Sequence, residues 1–314
     1  MKYDVVTIGN AVIDVFLTFT DTNQALSLNK VEKLLCVPYG QKILVDTSHF
    51  LLGGNACNVA VGLSRAGFAT ALMAELASDE FSEKIMHGLA LEQVATNLIQ
   101  RSAGQSSFSI GLNFAGERTL FVEHHDRVHD FSFSSLEAKL LYLTSLGHHW
   151  QHVYKRVGEY LHHHPESVLA FNPGTVQYLD GVASFRFILP YTTILFVNKE
   201  EAEKLVGKKL PVSDLLKQLQ ALGPKIICLT DGVRGAYAIT ENGNEYHQER
   251  ISCPVVERTG AGDAFATGFL AAYLVSCSVA EAMEYGAHNA ASVIGQIGSQ
   301  PGLLTQEEYA MKSR

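Results

Sequence analysis

Short, uninterrupted apolar runs restrict the fold of this chain more than any other feature of its sequence. Val5-Val6-Thr7-Ile8 stops at Gly9-Asn10, and similar runs recur at Thr193-Ile194-Leu195-Phe196-Val197 and Ile226-Ile227-Cys228-Leu229. A strand that is apolar at every position must be covered on both faces, as strands inside a parallel sheet are. Amphipathic stretches of helical period lie between the runs, over about 54–67, 79–90, 149–163, 199–222 and 263–296. Strands alternating with helices predict a doubly wound α/β fold, with a central, mostly parallel sheet and helices on both faces. Two segments break the alternation, at about 15–48 and about 105–125. There Lys42-Ile43-Leu44-Val45-Asp46 and Ser107-Phe108-Ser109-Ile110-Gly111-Leu112 read as half-exposed antiparallel strands of a small β lid. No repeat or low-complexity linker interrupts the 314 residues, so the lid is expected as an insertion in one domain spanning 1–314.

Composition narrows the function. With 47% hydrophobic and 18% charged residues there is ample material for a buried core. A formal net charge of -8, with no run of Lys and Arg, argues against a nucleic-acid partner. No apolar stretch reaches the roughly 18 residues of a membrane span, and Met1-Lys2-Tyr3-Asp4 opens a strand-like run rather than a signal peptide. A cytoplasmic protein without a membrane partner is expected. The cysteines Cys36, Cys57, Cys228, Cys253 and Cys277 are odd in number and mostly in apolar stretches, and they read as reduced core thiols. Histidines cluster at His124-His125, at His148-His149 with His152, and at His162-His163-His164. Only His148 and His152 have the spacing of a helical metal pair, and no neighbouring carboxylate or cysteine completes a site, so surface helix ends are expected there.

The segment richest in chemistry is Thr259-Gly260-Ala261-Gly262-Asp263-Ala264-Phe265-Ala266-Thr267-Gly268, a small-residue loop opening into an apolar helix that is expected to run to about Val275. Gly260, Ala261 and Gly262 carry little or no side chain, so their N–H groups can converge on an oxyanion or phosphate at the positive end of the helix. Asp263 then stands beside that anion, where a carboxylate can take a proton from an attacking hydroxyl. Read on its own, the same segment is equally a Gly-rich turn with Asp as a helix cap.

This segment resembles the second signature of the ribokinase-like carbohydrate kinases, the PfkB family, commonly Asp-Thr-x-Gly-Ala-Gly-Asp with the last Asp as catalytic base. Three other stretches match in the family's order. Gly53-Gly54-Asn55-Ala56-Cys57-Asn58-Val59-Ala60, continuing to Leu63-Ser64-Arg65-Ala66-Gly67, is similar to its first signature, a Gly-Gly turn before a helix with a substrate-binding Asn. Asn198-Lys199-Glu200-Glu201 resembles its Asn-x-x-Glu motif, and Thr230-Asp231-Gly232-Val233-Arg234-Gly235-Ala236 its nucleotide-side loop. Asp14, in Gly9-Asn10-Ala11-Val12-Ile13-Asp14, matches the position whose carboxylate grips substrate hydroxyls; without the resemblance it is a turn residue after the first strand. The matches run from residue 9 to about 301.

The resemblance implies a ribokinase-like three-layer sandwich whose lid closes over the acceptor, and an ATP-dependent sugar kinase. Asp263 would be the base, and Gly260, Ala261 and Gly262 the anion hole. Asp14, Gly54 and Asn58 would contact substrate. Asn198 and Glu201 would lie on the phosphate side, with Glu201 acting on Mg2+ through water, and Thr230, Gly232 and Asn289 would contact the nucleotide. Residue by residue, Asn198 also reads as a helix cap and Glu201 as part of a solvated helix face.

Two departures stand out. Glu257-Arg258 replaces the usual Asp-Thr, close to where some members hold a monovalent cation, which puts potassium activation in doubt. Ala77-Ser78-Asp79-Glu80-Phe81-Ser82 replaces a Gly-x-Asp-x-x-Gly segment and reads as drift in a scaffold loop. There is no G-x-x-x-x-G-K-[ST] loop, and Gly260-Ala261-Gly262 lacks the third glycine and the N-terminal placement of a dinucleotide fingerprint. The alternatives to a sugar kinase are an adenosine-type nucleoside kinase, with Phe16, Phe108 and Phe121 available to stack a base, and a catalytically weak regulatory homologue. A lid that presents a strand edge permits a homodimer.

Overall fold

The structure, a computed structural model, describes residues 2–20, 22–115, 117–123 and 125–312. Met1 and His124, both part of the sequence reading, lie outside the described residues. The chain runs β1 (Lys2–Ile8), β2 (Val12–Phe19), β3 (Ser27–Asn29), β4 (Leu34–Cys36), β5 (Thr47–Gly53), α1 (Asn55–Arg65), β6 (Thr70–Met73), β7 (Glu75–Leu76), α2 (Glu80–Leu91), β8 (Gln100–Arg101), β9 (Phe108–Phe114) and β10 (Glu117–Glu123). It continues through β11 (Glu137–Leu143), α3 (Gln151–His163), β12 (Val168–Phe171), α4 (Thr175–Leu179), β13 (Ile194–Asn198), α5 (Lys199–Val206), α6 (Val212–Gln220) and β14 (Ile226–Thr230). The last elements are β15 (Ala236–Ile239), β16 (Glu245–Gln248), α7 (Ala261–Ser276), α8 (Val279–Ile294) and α9 (Gln306–Lys312).

The large sheet has the order β16-β15-β14-β13-β12-β11-β1-β6, parallel from β14 to β6, with β15 and β16 as an antiparallel edge. Its strands are apolar throughout because alternate residues enter two cores. Val6, Ile8, Leu195, Val197, Ile227 and Leu229 pack with Val153, Tyr154 and Val157 of α3 and with Leu215, Leu216 and Leu219 of α6. Val5, Ile194, Phe196, Ile226 and Cys228 face α1, α7, α8 and α9 on the other side. The expected three layers are present. Helix α7 is apolar around most of its circumference because it is enclosed: Asp263 to Ala272 are all buried.

The smaller sheet is the lid, ordered β10-β9-β2-β5. Its β2 and β9 are parallel, so the lid is mixed rather than antiparallel. Lys42 to Asp46 forms no strand: Leu44 and Val45 are exposed, and the segment meets β2 at its end, where the Asp46 N–H donates to Thr18 O at 3.2 Å. The stretch read as one helix over 199–222 is two, α5 and α6, broken where Gly207 ends α5 in the left-handed region and Pro211 precedes α6. The stretch over 263–296 divides at Cys277, close to the end expected near Val275, and Ser278 caps α8 by accepting the Glu281 N–H. Of the cysteines, Cys57 and Cys228 are buried as expected, Cys253 is half-buried, and Cys36 and Cys277 are exposed thiols.

Asp79 lies in the segment read as drift, yet it does structural work. It caps α2 through Ser82 and accepts from Ser106 N at 2.7 Å, tying the run into β9 to the main body. Those bonds hold its carboxyl well below the usual range, against the effect of partial burial. His148, His149, His162 and His163 are exposed, and among the described residues no group of histidine, cysteine and carboxylate side chains is arranged to hold a metal. Among those residues no helix is long and apolar enough to cross a membrane. Phe269 is fully buried between Phe196, Phe265 and Tyr273. Phe269→Ala is expected to lower the unfolding free energy by about 3–5 kcal/mol in urea denaturation with an unchanged slope.

Candidate active site

The loops after β1, β11, β12, β13 and β14 gather at the carboxyl edge of the sheet, and α7 begins among them. Gly260 is the N-cap of α7 at φ +76°, where a Cβ would meet the Ser299 Cβ at 2.5 Å, so only glycine turns the chain here without strain. The first-turn N–H groups that follow have no intrahelical acceptor and carry the positive end of the helix.

Asp263 sits in that first turn, 6% exposed. Its Oδ1 accepts from Asn55 Nδ2 at 3.1 Å and its Oδ2 from Asn58 Nδ2 at 2.8 Å. Burial pushes its pKa up to about 6, with the two amides pulling the other way and Asp14 adding to the rise. Asn58 is buried, and its Oδ1 accepts from Gln300 Nε2 at 3.0 Å. Both ends of Asn58 are therefore engaged, which makes it a support for Asp263 rather than an open contact. Sequence reasoning missed Asn55 and Gln300. Asn55 was findable, because its position three residues before Asn58 puts both amides on one helical face.

The lid supplies the second carboxylate. Asp14 lies on β2, not in a turn, and accepts from the Ser109 hydroxyl of β9. Burial raises its pKa, Ser109 lowers it, Glu257 raises it and Arg118 lowers it. A Cβ at Gly53 would lie 1.9 Å from Asp14 Oδ2, so the Gly53-Gly54 turn is small because a carboxylate occupies the space above it. Gly54 is the N-cap of α1. At the same end Asn10, Ala11 and Val12 line a small cavity with Glu75, Ser106 and His129.

On the other side of Asp263 is a polar cavity of about 190 Å³ lined by Asn55, Asn172, Asn198, Glu201, Thr230 and Gly262. Asn198 and Glu201 form a reciprocal cap of α5, each side chain accepting the other's backbone N–H at 2.9 Å. Both alternatives for Asn198 thus hold together, since it caps the helix and lines the cavity. Glu201 is half-buried rather than on an open helix face, and burial pushes its pKa up to about 7. An apolar cavity of about 280 Å³ adjoins, sharing Thr230 and Gly262 and lined by Gly232, Ala261, Ala287, Ala290, Ala291 and Ile294. Asn289 does not reach it. That side chain is fully buried, donating to Ala264 O at 2.7 Å and accepting from Leu304 N at 2.9 Å, so it is a tie between α7, α8 and the C-terminal segment, and its neighbours on α8 line the cavity instead. Phe16 is fully buried, Phe108 packs edge-on against Phe81 and Phe121 is 56% exposed; none of them lines either cavity.

Residues 5–306 match the model of the pfkB family carbohydrate kinases. Fructosamine kinase FrlD of Bacillus subtilis (strain 168) is 28% identical over 81% of this chain and 87% of its own length. A 5-dehydro-2-deoxygluconokinase of Lacticaseibacillus casei is 24% identical over 96% and 93%. The crystal structure of adenosine kinase from Sinorhizobium meliloti superposes with a TM-score of 0.80, at 23% identity and covering 100% of both chains. The chain belongs to the pfkB family of carbohydrate kinases, phosphotransferases that act on hydroxyl groups.

The fit of Asp14 over Gly53 is testable. Gly53→Ala is expected to cost about 1–3 kcal/mol of stability by overpacking. In a double-mutant cycle with Asp14→Ala the two losses are expected to be clearly non-additive, because the new methyl group meets that carboxylate.

Proposed function

We propose that this pfkB-family protein transfers the γ-phosphoryl group of ATP to a hydroxyl of a small sugar, with Asp263 as general base. The observation that carries the reading is the placement of Asp263, a buried carboxylate at a helix N-terminus between the lid carboxylate Asp14 and the cavity lined by Asn198, Glu201 and Thr230. Sugar kinases among the relatives support a sugar acceptor.

In this reading Asp14 and the residues around Gly54 hold the acceptor's hydroxyls, and one of them faces Asp263. As that oxygen attacks in line, its proton passes to Asp263, whose raised pKa makes it a stronger base than an exposed Asp. Charge on the transferring group is met by the N–H groups of the Gly260-Ala261-Gly262 turn. The apolar cavity beside α8 suits the adenine of the nucleotide, with Thr230 and Gly232 at its mouth. Oxygen ligands suit magnesium, and Glu201 with Asn198 would hold it through water; when bound it supplies charge neutralisation to the phosphates. A monovalent cation does not fit equally well, because the Glu257 carboxylate is already paired with Arg118 at 2.9 Å. A nucleoside acceptor is less well supported, since Phe16 is fully buried, Phe108 packs edge-on against Phe81, and the sequence relatives named above are sugar kinases. A non-catalytic role is disfavoured by the intact loop and base. The proposal extends to a homodimer: β10 is exposed along its length and carries Leu120, Phe121 and Val122 on an unpaired lid edge.

ATP consumption measured against a panel of sugars, sugar phosphates, ketosamines and nucleosides with magnesium should show turnover with a sugar-type acceptor. Asp263→Asn should lower kcat by about 10²–10⁴-fold while the protein still binds ATP. A base must be ionised to act, and burial raises its pKa, so kcat/KM should be full above neutral pH and fall as pH drops through about 6. Turnover confined to nucleosides, or undiminished in Asp263→Asn, would sink the reading.

A further inference from the structure

Arg118 belongs to β10, the outer strand of the lid, yet its Nη1 donates to Glu257 Oε1 at 2.9 Å, across to the segment that leads into α7. The Glu257 side chain is 3% exposed. The same Oε1 accepts from the Thr259 N–H at 2.7 Å and from the Thr259 hydroxyl, while Oε2 is buried and has no hydrogen-bond partner among the described residues. A carboxylate in such surroundings needs a counter-charge, and among the described residues Arg118 is its ion-pair partner. Exposed pairs contribute little, but this one has a buried acceptor that shapes the chain directly before Gly260. A cavity of about 370 Å³, lined by Arg118, Glu257, Arg258 and residues of the lid, lies at the junction.

We propose that Arg118 is a positioning residue that couples the lid to the phosphate-binding turn. The guanidinium fixes Glu257, Glu257 fixes Thr259, and Thr259 sets the turn from which the N–H groups of Gly260 to Gly262 project. Lid closure thereby completes the phosphate site, and an internal cation serves where a dissociable one would otherwise be needed. The inference rests on the kinase reading of that turn. By linkage, anything that opens the lid weakens nucleotide binding, and nucleotide binding favours the closed lid by the same factor.

The test uses the full chain and the non-hydrolysable nucleotide AMP-PNP with magnesium, its affinity measured by calorimetry for the parent, Arg118→Ala, Arg118→Lys, Glu257→Gln and Arg118→Ala/Glu257→Gln. Arg118→Ala should bind at least tenfold more weakly, Arg118→Lys should recover part of the loss, and added guanidinium at millimolar concentration should restore Arg118→Ala through the cavity at the junction. The double variant should bind no worse than Glu257→Gln, because a neutral side chain at 257 needs no counter-charge. In turnover, Arg118→Ala should raise KM for ATP more than it lowers kcat. Affinity within twofold of the parent in Arg118→Ala, additive losses in the double variant, absence of rescue by guanidinium, or several-fold activation of the parent by potassium would each overturn the proposal. If the parent phosphorylates no acceptor but the binding results are as expected, the kinase reading fails and the coupling stands.

Discussion

The charge of Asp263 is enclosed by protein, and a buried carboxylate persists only where dipoles replace the water it has lost. Here the replacement comes from three directions: the N-terminal dipole of α7, the amide of Asn55 and the amide of Asn58. Much of the surrounding architecture follows from keeping these groups aligned. Helix α1 packs close enough to α7 that a Cβ on Gly62 would strike Thr267, which brings the two asparagines within reach. Gln300 braces Asn58, and Arg65 in turn holds the Gln300 carbonyl at 2.8 Å while paired with Glu92. The compensation is incomplete, so the proton is held more tightly than in water, which suits the role of base proposed for Asp263.

The lid enters the same electrostatic system. Asp14 and Glu257 are carboxylates within range of one another, and each receives a donor from the lid strands, Ser109 to the first and Arg118 to the second. Glu257 raises the Asp14 pKa and Arg118 lowers it. In the proposed kinase reading, a closed lid would exclude water and also set the charge balance around the acceptor and the turn before α7.

The layered fold was legible because strands covered on both faces cannot hide polar residues, so Val5 to Ile8, Ile194 to Val197 and Ile226 to Leu229 announce themselves. Strand β11 begins Glu137-Ala138-Lys139, polar where it emerges from the sheet, and did not stand out. The end of α7 was legible, expected near Val275 and found at Ser276, whereas the break inside 199–222 was passed over although Gly207 and Pro211 are residues that end one helix and precede the next. Lys42 to Asp46 has strand composition but touches β2 at its end, through the Asp46 N–H to Thr18 O bond, and forms no ladder there. Of the candidate site residues, Asp263, Asn198 and Glu201 line one cavity, but sequence order did not supply the direction of each side chain. Asn289 shows the difference, since its side chain points to α7 and the C-terminal segment while its neighbours on α8 line the apolar cavity.

The most direct test of the central claim is the protonation of Asp263 itself, followed by carbon-13 NMR of aspartate-labelled protein, with the signal assigned by its absence in Asp263→Asn. A carboxyl that titrates near pH 6 is the result expected for a carboxylate enclosed at the N-terminal end of α7 and held by two amides. Titration near the ordinary value of about 3.9 would mean that water reaches the carboxylate freely, and would contradict the enclosure on which this account of the site depends.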